Sequence, residues 1–204
     1  MDEREKATTK RRSYYDGKMK SLLLFALTCG PLLTYAGELN ILHVAAEPAV
    51  SVEITAQGKS QTIQLEAGKN SGAFTLPDAP ATLKATDAAG VTVNIPAGET
   101  SHIAILFTKG DSPKWHLIPT KKGENKNSLR VLNLTDGERN VLFGGQTQKV
   151  DSFKVNDLGQ TEQPSIKIQV DGGKARSIKP EDAGAYLAII YPSAEGTKVS
   201  FIAE

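Results

Sequence analysis

An all-β chain of two tandem, small antiparallel β-sandwich modules behind a signal peptide is predicted by three observations. The strand-like segment Leu39-Asn40-Ile41-Leu42-His43-Val44 returns as Leu129-Arg130-Val131-Leu132-Asn133-Leu134. Later landmarks then repeat at an offset of 84 positions: Pro80 on Pro164, Asp87 on Asp171, Pro96 on Pro180, and His102 to Phe107 on Tyr186 to Tyr191. No stretch after residue 38 keeps apolar residues at helical spacing, whereas short alternating runs bounded by Gly, Pro, Asn and Asp are frequent, as in sandwiches and small barrels.

In chain order, the first element is a leader over residues 1–36. Met19-Lys20 opens a basic start, Ser21 to Leu33 supplies a short apolar stretch, and Thr34 and Ala36 are the small residues a signal peptidase reads, so cleavage is expected between Ala36 and Gly37. Met19 is the expected true initiator. The apolar stretch is well short of the roughly 20 residues a membrane span needs, and Gly30-Pro31 interrupts it, which argues against a transmembrane anchor. Lipidation at Cys29 is disfavoured because Thr28, not a small residue such as Gly or Ala, precedes it.

The leader holds the chain's single cysteine and both methionines. Its removal leaves no thiol for a disulfide, a thiolate metal site or a cysteine nucleophile. It also holds seven of the 24 basic and four of the 23 acidic residues, so the remainder has 17 against 19 and a formal charge of −2. That mixed, mildly acidic balance argues against nucleic acid as a partner.

Module 1 is expected over 37–119. Val50-Ser51-Val52-Glu53-Ile54 and Val91-Thr92-Val93-Asn94-Ile95 alternate as half-buried strands do. The run Ile103 to Phe107 has no polar side chain and is too short for a buried helix, so it reads as a central strand covered on both faces. Residues 120–128, Thr-Lys-Lys-Gly-Glu-Asn-Lys-Asn-Ser, offer nothing apolar to a core and read as an exposed linker. Module 2 is expected over 129–204. Ile166 to Val170 alternates and runs into Asp171-Gly172-Gly173, a hairpin turn chemistry, and Leu187 to Tyr191 forms the second doubly covered strand.

Candidate chemistry is sparse. His43, His102 and His116 are the only imidazoles, and module 2 has Asn133, Tyr186 and Ser200 in their places. If the strands around Lys109 to Pro113 form a hairpin, His102 falls opposite a residue near Pro119 and His116 opposite one near Leu106, out of register for a shared metal ion. No Gly-x-Ser-x-Gly elbow is present, Glu181-Asp182 is the one adjacent acidic pair after the leader, and Gly144-Gly145 has no following Lys-Ser and reads as a turn. Asn133-Leu134-Thr135 matches a glycosylation sequon inside an expected strand, where a structural role is the better reading. The expectation is therefore no catalytic residue, no metal ligand and no cofactor.

Glu181-Asp182-Ala183-Gly184-Ala185-Tyr186 resembles the segment entering strand F of immunoglobulin-type domains. The resemblance implies that the tyrosine hydrogen-bonds back to the preceding corner. Ala188 stands where that family usually has a cysteine, and Trp115 lies on a late strand, so an immunoglobulin-like sandwich without a disulfide is implied. More broadly, the tandem arrangement behind a signal peptide is similar to β-sandwich modules of bacterial exported proteins of unassigned function. These readings lead to an expected non-catalytic, extracytoplasmic protein, periplasmic or secreted, that binds a protein or envelope component. A carbohydrate- or cell-wall-binding module using Trp115, Tyr186 or Tyr191 is one alternative, and a periplasmic assembly chaperone with an open strand edge is another.

Overall fold

The computed structural model describes residues 35–44, 49–88, 90–122 and 126–204, with side chains from Gly37 onward. The leader residues Met19 and Cys29 lie outside the described residues. Alternating sequence produces strands throughout. Module 1 comprises β1 (Tyr35–His43), β2 (Ala49–Ala56), β3 (Lys59–Glu66), β4 (Asn70–Pro77), β5 (Ala81–Ala85), β6 (Thr92–Ile95), β7 (His102–Lys109) and β8 (Ser112–Pro119). Module 2 repeats the series as β9 (Asn127–Asn133), β10 (Arg139–Phe143), β11 (Gln146–Val150), β12 (Val155–Thr161), β13 (Ile166–Val170), β14 (Arg176–Ile178), β15 (Ala185–Ser193) and β16 (Gly196–Ala203).

The duplication extends to topology. Module 1 has sheets ordered β4-β1-β7-β8 and β3-β2-β5-β6, and module 2 has β12-β9-β15-β16 and β11-β10-β13-β14, the same orders eight strands later. Even the registers correspond: His102 faces Pro119 in the β7–β8 hairpin, and Tyr186 faces Ala203 in the β15–β16 hairpin. The sandwiches are mostly antiparallel. One pair in each module runs parallel, β1 with β7 and β9 with β15, because the chain crosses between the two layers before returning beside its first strand.

Three apolar layers separate the four sheets. Leu39, Ile41, Val52, Leu83 and Ala104 fill the core of module 1, and Leu129, Val131, Val141, Ile168 and Ala188 fill that of module 2. Between them lies a third core to which both modules contribute: Leu42, Ile103, Ile105 and Phe107 from one side, Leu132, Leu187, Ile189 and Tyr191 from the other. Residues 33–204 accordingly form one compact unit. The uninterrupted apolar runs now have their reason. On β7, Ile103, Ile105 and Phe107 face the shared core while Ala104 and Leu106 face the core of module 1, and β15 divides its residues in the same way.

Of the stretch expected as a linker, Thr120 donates its backbone N–H to Ser101 O of module 1 at 2.8 Å, whereas Asn127 and Ser128 belong to module 2. β9 begins at Asn127, and Ser128 is buried. Arg130 caps the linker end of the shared core, donating from Nη2 to Pro119 O at 2.8 Å and pairing with Glu204 Oε1 at 2.7 Å. Glu204 Oε2 accepts the Lys121 backbone N–H at 3.0 Å, and Lys121 Nζ reaches Asp157 at 2.7 Å. Gly37 admits no side chain, since a Cβ there would lie 2.8 Å from Thr100 O.

Candidate functional site

At the end of the shared core opposite the linker, the β7–β8 and β15–β16 hairpins of the two modules meet around a cleft of about 600 Å³. Its lining draws on corresponding positions of the repeat: Val44 and Leu134 after the first strands, Gly68 and Phe153 in the third turns, Lys109 and Ser193 at the hairpins. Locally, each third turn is built alike. Gly68 donates its N–H to His43 O at 2.7 Å, and Phe153 donates to Asn133 O at 2.6 Å.

The two turns share a left-handed backbone as well, with φ of 76° at Gly68 and 57° at Phe153. Glycine takes that conformation freely, whereas a bulky aromatic residue there is an outlier that costs on the order of 1–3 kcal/mol. What offsets the strain at Phe153 is its ring. It crosses to the other module, lies 5.9 Å from Phe107 and packs against the shared core. Lys109 Nζ sits 3.8 Å above its centroid, a cation–π contact between modules. At the corresponding corner, the Tyr191 hydroxyl lies 3.8 Å from where a Cβ on Gly68 would be. A large residue on β15 therefore meets a turn without a side chain, and the large turn residue meets the shorter Phe107.

The sequence-predicted candidates are placed elsewhere. His43 is fully buried, with Nδ1 3.3 Å from Leu65 O, and Asn133 fills the same slot in module 2 by donating from Nδ2 to Val150 O at 3.1 Å. Both side chains tie a first strand to a third. Asn133 Oδ1 also accepts from Thr135 Oγ1 at 2.7 Å, so the sequon residues are consumed in a buried turn. His102 is buried opposite Pro119, while His116 pairs across from Ile105, one position from expectation, on the opposite face of the sheet. Partial burial pushes the His116 imidazole below its ordinary pKa. Among the described residues, no group of three His, Cys, Asp or Glu side chains is placed to hold a metal ion.

Tyr186 makes the hydrogen bond expected of it, from its hydroxyl to Asp182 O at 3.1 Å. Trp115 donates from Nε1 to Val91 O at 3.0 Å and packs on the core of module 1, so its ring is committed to structure. Gly144 and Gly145, with φ of 58° and 83°, form the tight β10–β11 turn.

Sequence reasoning missed Phe153 and Lys109. A legible signal existed: Glu66-Ala67-Gly68-Lys69 aligns with Asp151-Ser152-Phe153-Lys154, an aromatic residue where the repeat has a turn glycine. No family model and no curated protein matches the chain.

Proposed function

We propose that the chain is a non-catalytic extracytoplasmic protein, a binding, adaptor or structural component whose recognition surface is the cleft between its two modules. The observation that carries this reading is that duplicated positions lining the cleft differ in chemistry: Gly68 against Phe153, Lys109 against Ser193. Divergence there, within two frameworks of the same topology, fits a site assembled from both modules. Apolar lining with a few polar groups in roughly 300–1,000 Å³ is the usual form of a small-ligand site. The export signal expected from the sequence, the spent roles of His43 and Asn133, and the placement of His102 and His116 on opposite faces support a binding role over catalysis.

The test joins a reporter assay to thermal melting. Ester, glycoside and phosphate reporters should not turn over, and a fragment of the partner should raise the melting midpoint, because a ligand that binds only the folded state stabilises it by RT ln(1 + [L]/Kd). Turnover abolished by His102→Ala or His116→Ala would overturn the proposal.

A further inference from the structure

The two modules finish their corresponding edge strands, β8 and β16, differently. In the β7–β8 hairpin the Thr120 N–H bonds to Ser101 O, and in the β15–β16 hairpin the Glu204 N–H bonds to Ala185 O. Bonded pairs alternate along an antiparallel ladder, which fixes the residues whose backbone groups point away from the partner strand. They are Pro113, Trp115, Leu117 and Pro119 on β8, and Thr197, Val199, Phe201 and Ala203 on β16. On β8, prolines stand at the first and last of these positions and remove two donors. Trp115 then ties the edge to the facing sheet through its bond to Val91 O. On β16 all four positions keep an N–H and a C=O that no other described residue engages, and Val199, in the place of Trp115, has no side-chain donor. A regular edge with neither proline nor bulge is a template for another strand.

The facing sheet differs as well. Gln148 donates to Leu158 O where β11 meets β12, which leaves β14 and β16 together at the opposite side of module 2. β6 and β14 each end in an isoleucine directed at the core, Ile95 and Ile178. Two residues earlier, module 1 has Val93, opposite Leu83 and packed on its core, whereas module 2 has Arg176, opposite Ile168 and exposed. Arg176 therefore shares the core-facing side of β14 with Ile178. Neither it nor exposed Lys174 before it has a carboxylate partner among the described residues. Val199 and Phe201 pack on the same core from β16 and stay partly exposed.

We propose that β16 accepts an extended segment of a partner protein as an added strand. Apolar residues at alternate positions of that segment lie against Val199, Phe201 and Ile178, and an acidic residue pairs with Arg176. A second copy of this chain fits less well, because the residues its β16 would turn to the same side, Thr197, Val199, Phe201 and Ala203, bring no carboxylate. The surface goes beyond the cleft: Lys198, the β16 residue in the cleft lining, lies on the opposite face of the strand.

The experiment is an anisotropy titration of the full chain with a labelled peptide, Thr-Val-Thr-Val-Thr-Asp-Thr-Asp. One control peptide has lysine for aspartate, and another is N-methylated at its valines and aspartates, the residues whose N–H groups would meet β16. The acidic peptide should bind, more weakly as salt rises, and each control should bind about tenfold more weakly or worse. Hydrogen exchange at the Val199 and Phe201 amides should slow in the complex. Thr197→Pro with Ala203→Pro, which gives β16 the prolines of β8, should weaken binding about tenfold. Arg176→Gln should weaken it similarly and flatten the salt dependence, and Lys59→Gln, remote on the β2–β3 hairpin, should leave it unchanged. If the proline pair lowers the melting midpoint, the N-methylated peptide and Arg176→Gln carry the test. Equal binding of either control peptide, or no binding of the acidic one at about 1 mM, would overturn the proposal. Dimerisation in sedimentation that the proline pair abolishes would give the edge to a second copy and overturn it as well. A cleft ligand found by melting shift bears on the binding reading above and not on this edge.

Discussion

Gly68 and Phe153 occupy the corresponding turn of the two modules, yet one lacks a side chain and the other sends a ring across the boundary. The backbone is common to both; what differs is the neighbour. Gly68 lies beneath the Tyr191 hydroxyl, and Phe153 lies against Phe107, which has no hydroxyl. Divergence after duplication has thus distributed side-chain volume unequally between the two corners of the boundary. The unequal corners leave an open cleft with Lys109 at one side and Ser193 at the other. Duplicated frameworks supply rigid hairpins, and substitutions at a few boundary positions give the space between them its chemistry.

Whether the modules act as one body is tested most strongly in the shared core. Ile105→Ala and Leu187→Ala each delete buried methyl groups at equivalent depth, and each should cost roughly 2–5 kcal/mol. Hydrogen exchange should show protection falling in both modules for either variant. Loss confined to the substituted module would break the claim that the middle layer couples them.

Next in size is the clamp at the linker end. The Glu204 side chain is 0% exposed and that of Arg130 16%, so Glu204→Ala leaves a largely buried guanidinium unpaired and should cost about 3 kcal/mol. A double variant, Arg130→Met with Glu204→Leu, should recover much of that loss in denaturant unfolding. If the single variant were neutral, the clamp would be solvated.

The outer cores should respond alike to overpacking. Ala104 and Ala188 are both fully buried and face the separate cores of modules 1 and 2, so Ala104→Phe and Ala188→Phe should each destabilise by roughly 1–3 kcal/mol. Unequal melting shifts would show that one module tolerates expansion that its copy does not.

At the cleft the comparison becomes sharper. Phe153→Gly and Phe153→Ala remove the same ring contacts, but glycine accepts a φ of 57° without strain. The glycine variant should therefore be the more stable by about 1 kcal/mol, a reversal of the usual preference for alanine. Equal stability would mean that the turn relaxes when the ring is gone.

The smallest effect concerns two equivalent aspartates. Ser51 holds the Asp87 carboxyl below its ordinary pKa with its hydroxyl and backbone N–H. For Asp171, burial raises the pKa, but the Asn140 N–H and the Arg139 guanidinium outweigh it and the net direction is down. A lowered folded-state pKa gives stability that is present above about pH 4 and lost as pH falls through the folded value. Ser51→Ala should flatten the acid limb of the melting profile slightly, and an unchanged limb would show that the contact does not persist in solution.

Much of the architecture was legible because it is local or repeated. Alternation at Ile166 to Val170 marks one buried face of a strand, Asp171-Gly172 supplies the positive φ its turn needs, and the offset between His102 and Tyr186 reproduces the hairpin register. Pattern at this range depends on neighbouring backbone and on which face meets water, and both are written residue by residue. Sequence by itself thus determined the all-β class, the duplication and the doubly covered β7 and β15. It could say that Ile103 to Phe107 is covered twice, but not that the second cover is the other module, because apolar surface carries no address. Only the tertiary structure placed Phe153 against Phe107 and under Lys109, opened the cleft beside them, and set Arg130 against Glu204, 74 positions away. Those contacts arise from the mutual approach of two sheets, and their partners are chosen by shape and charge across a distance that no local pattern records.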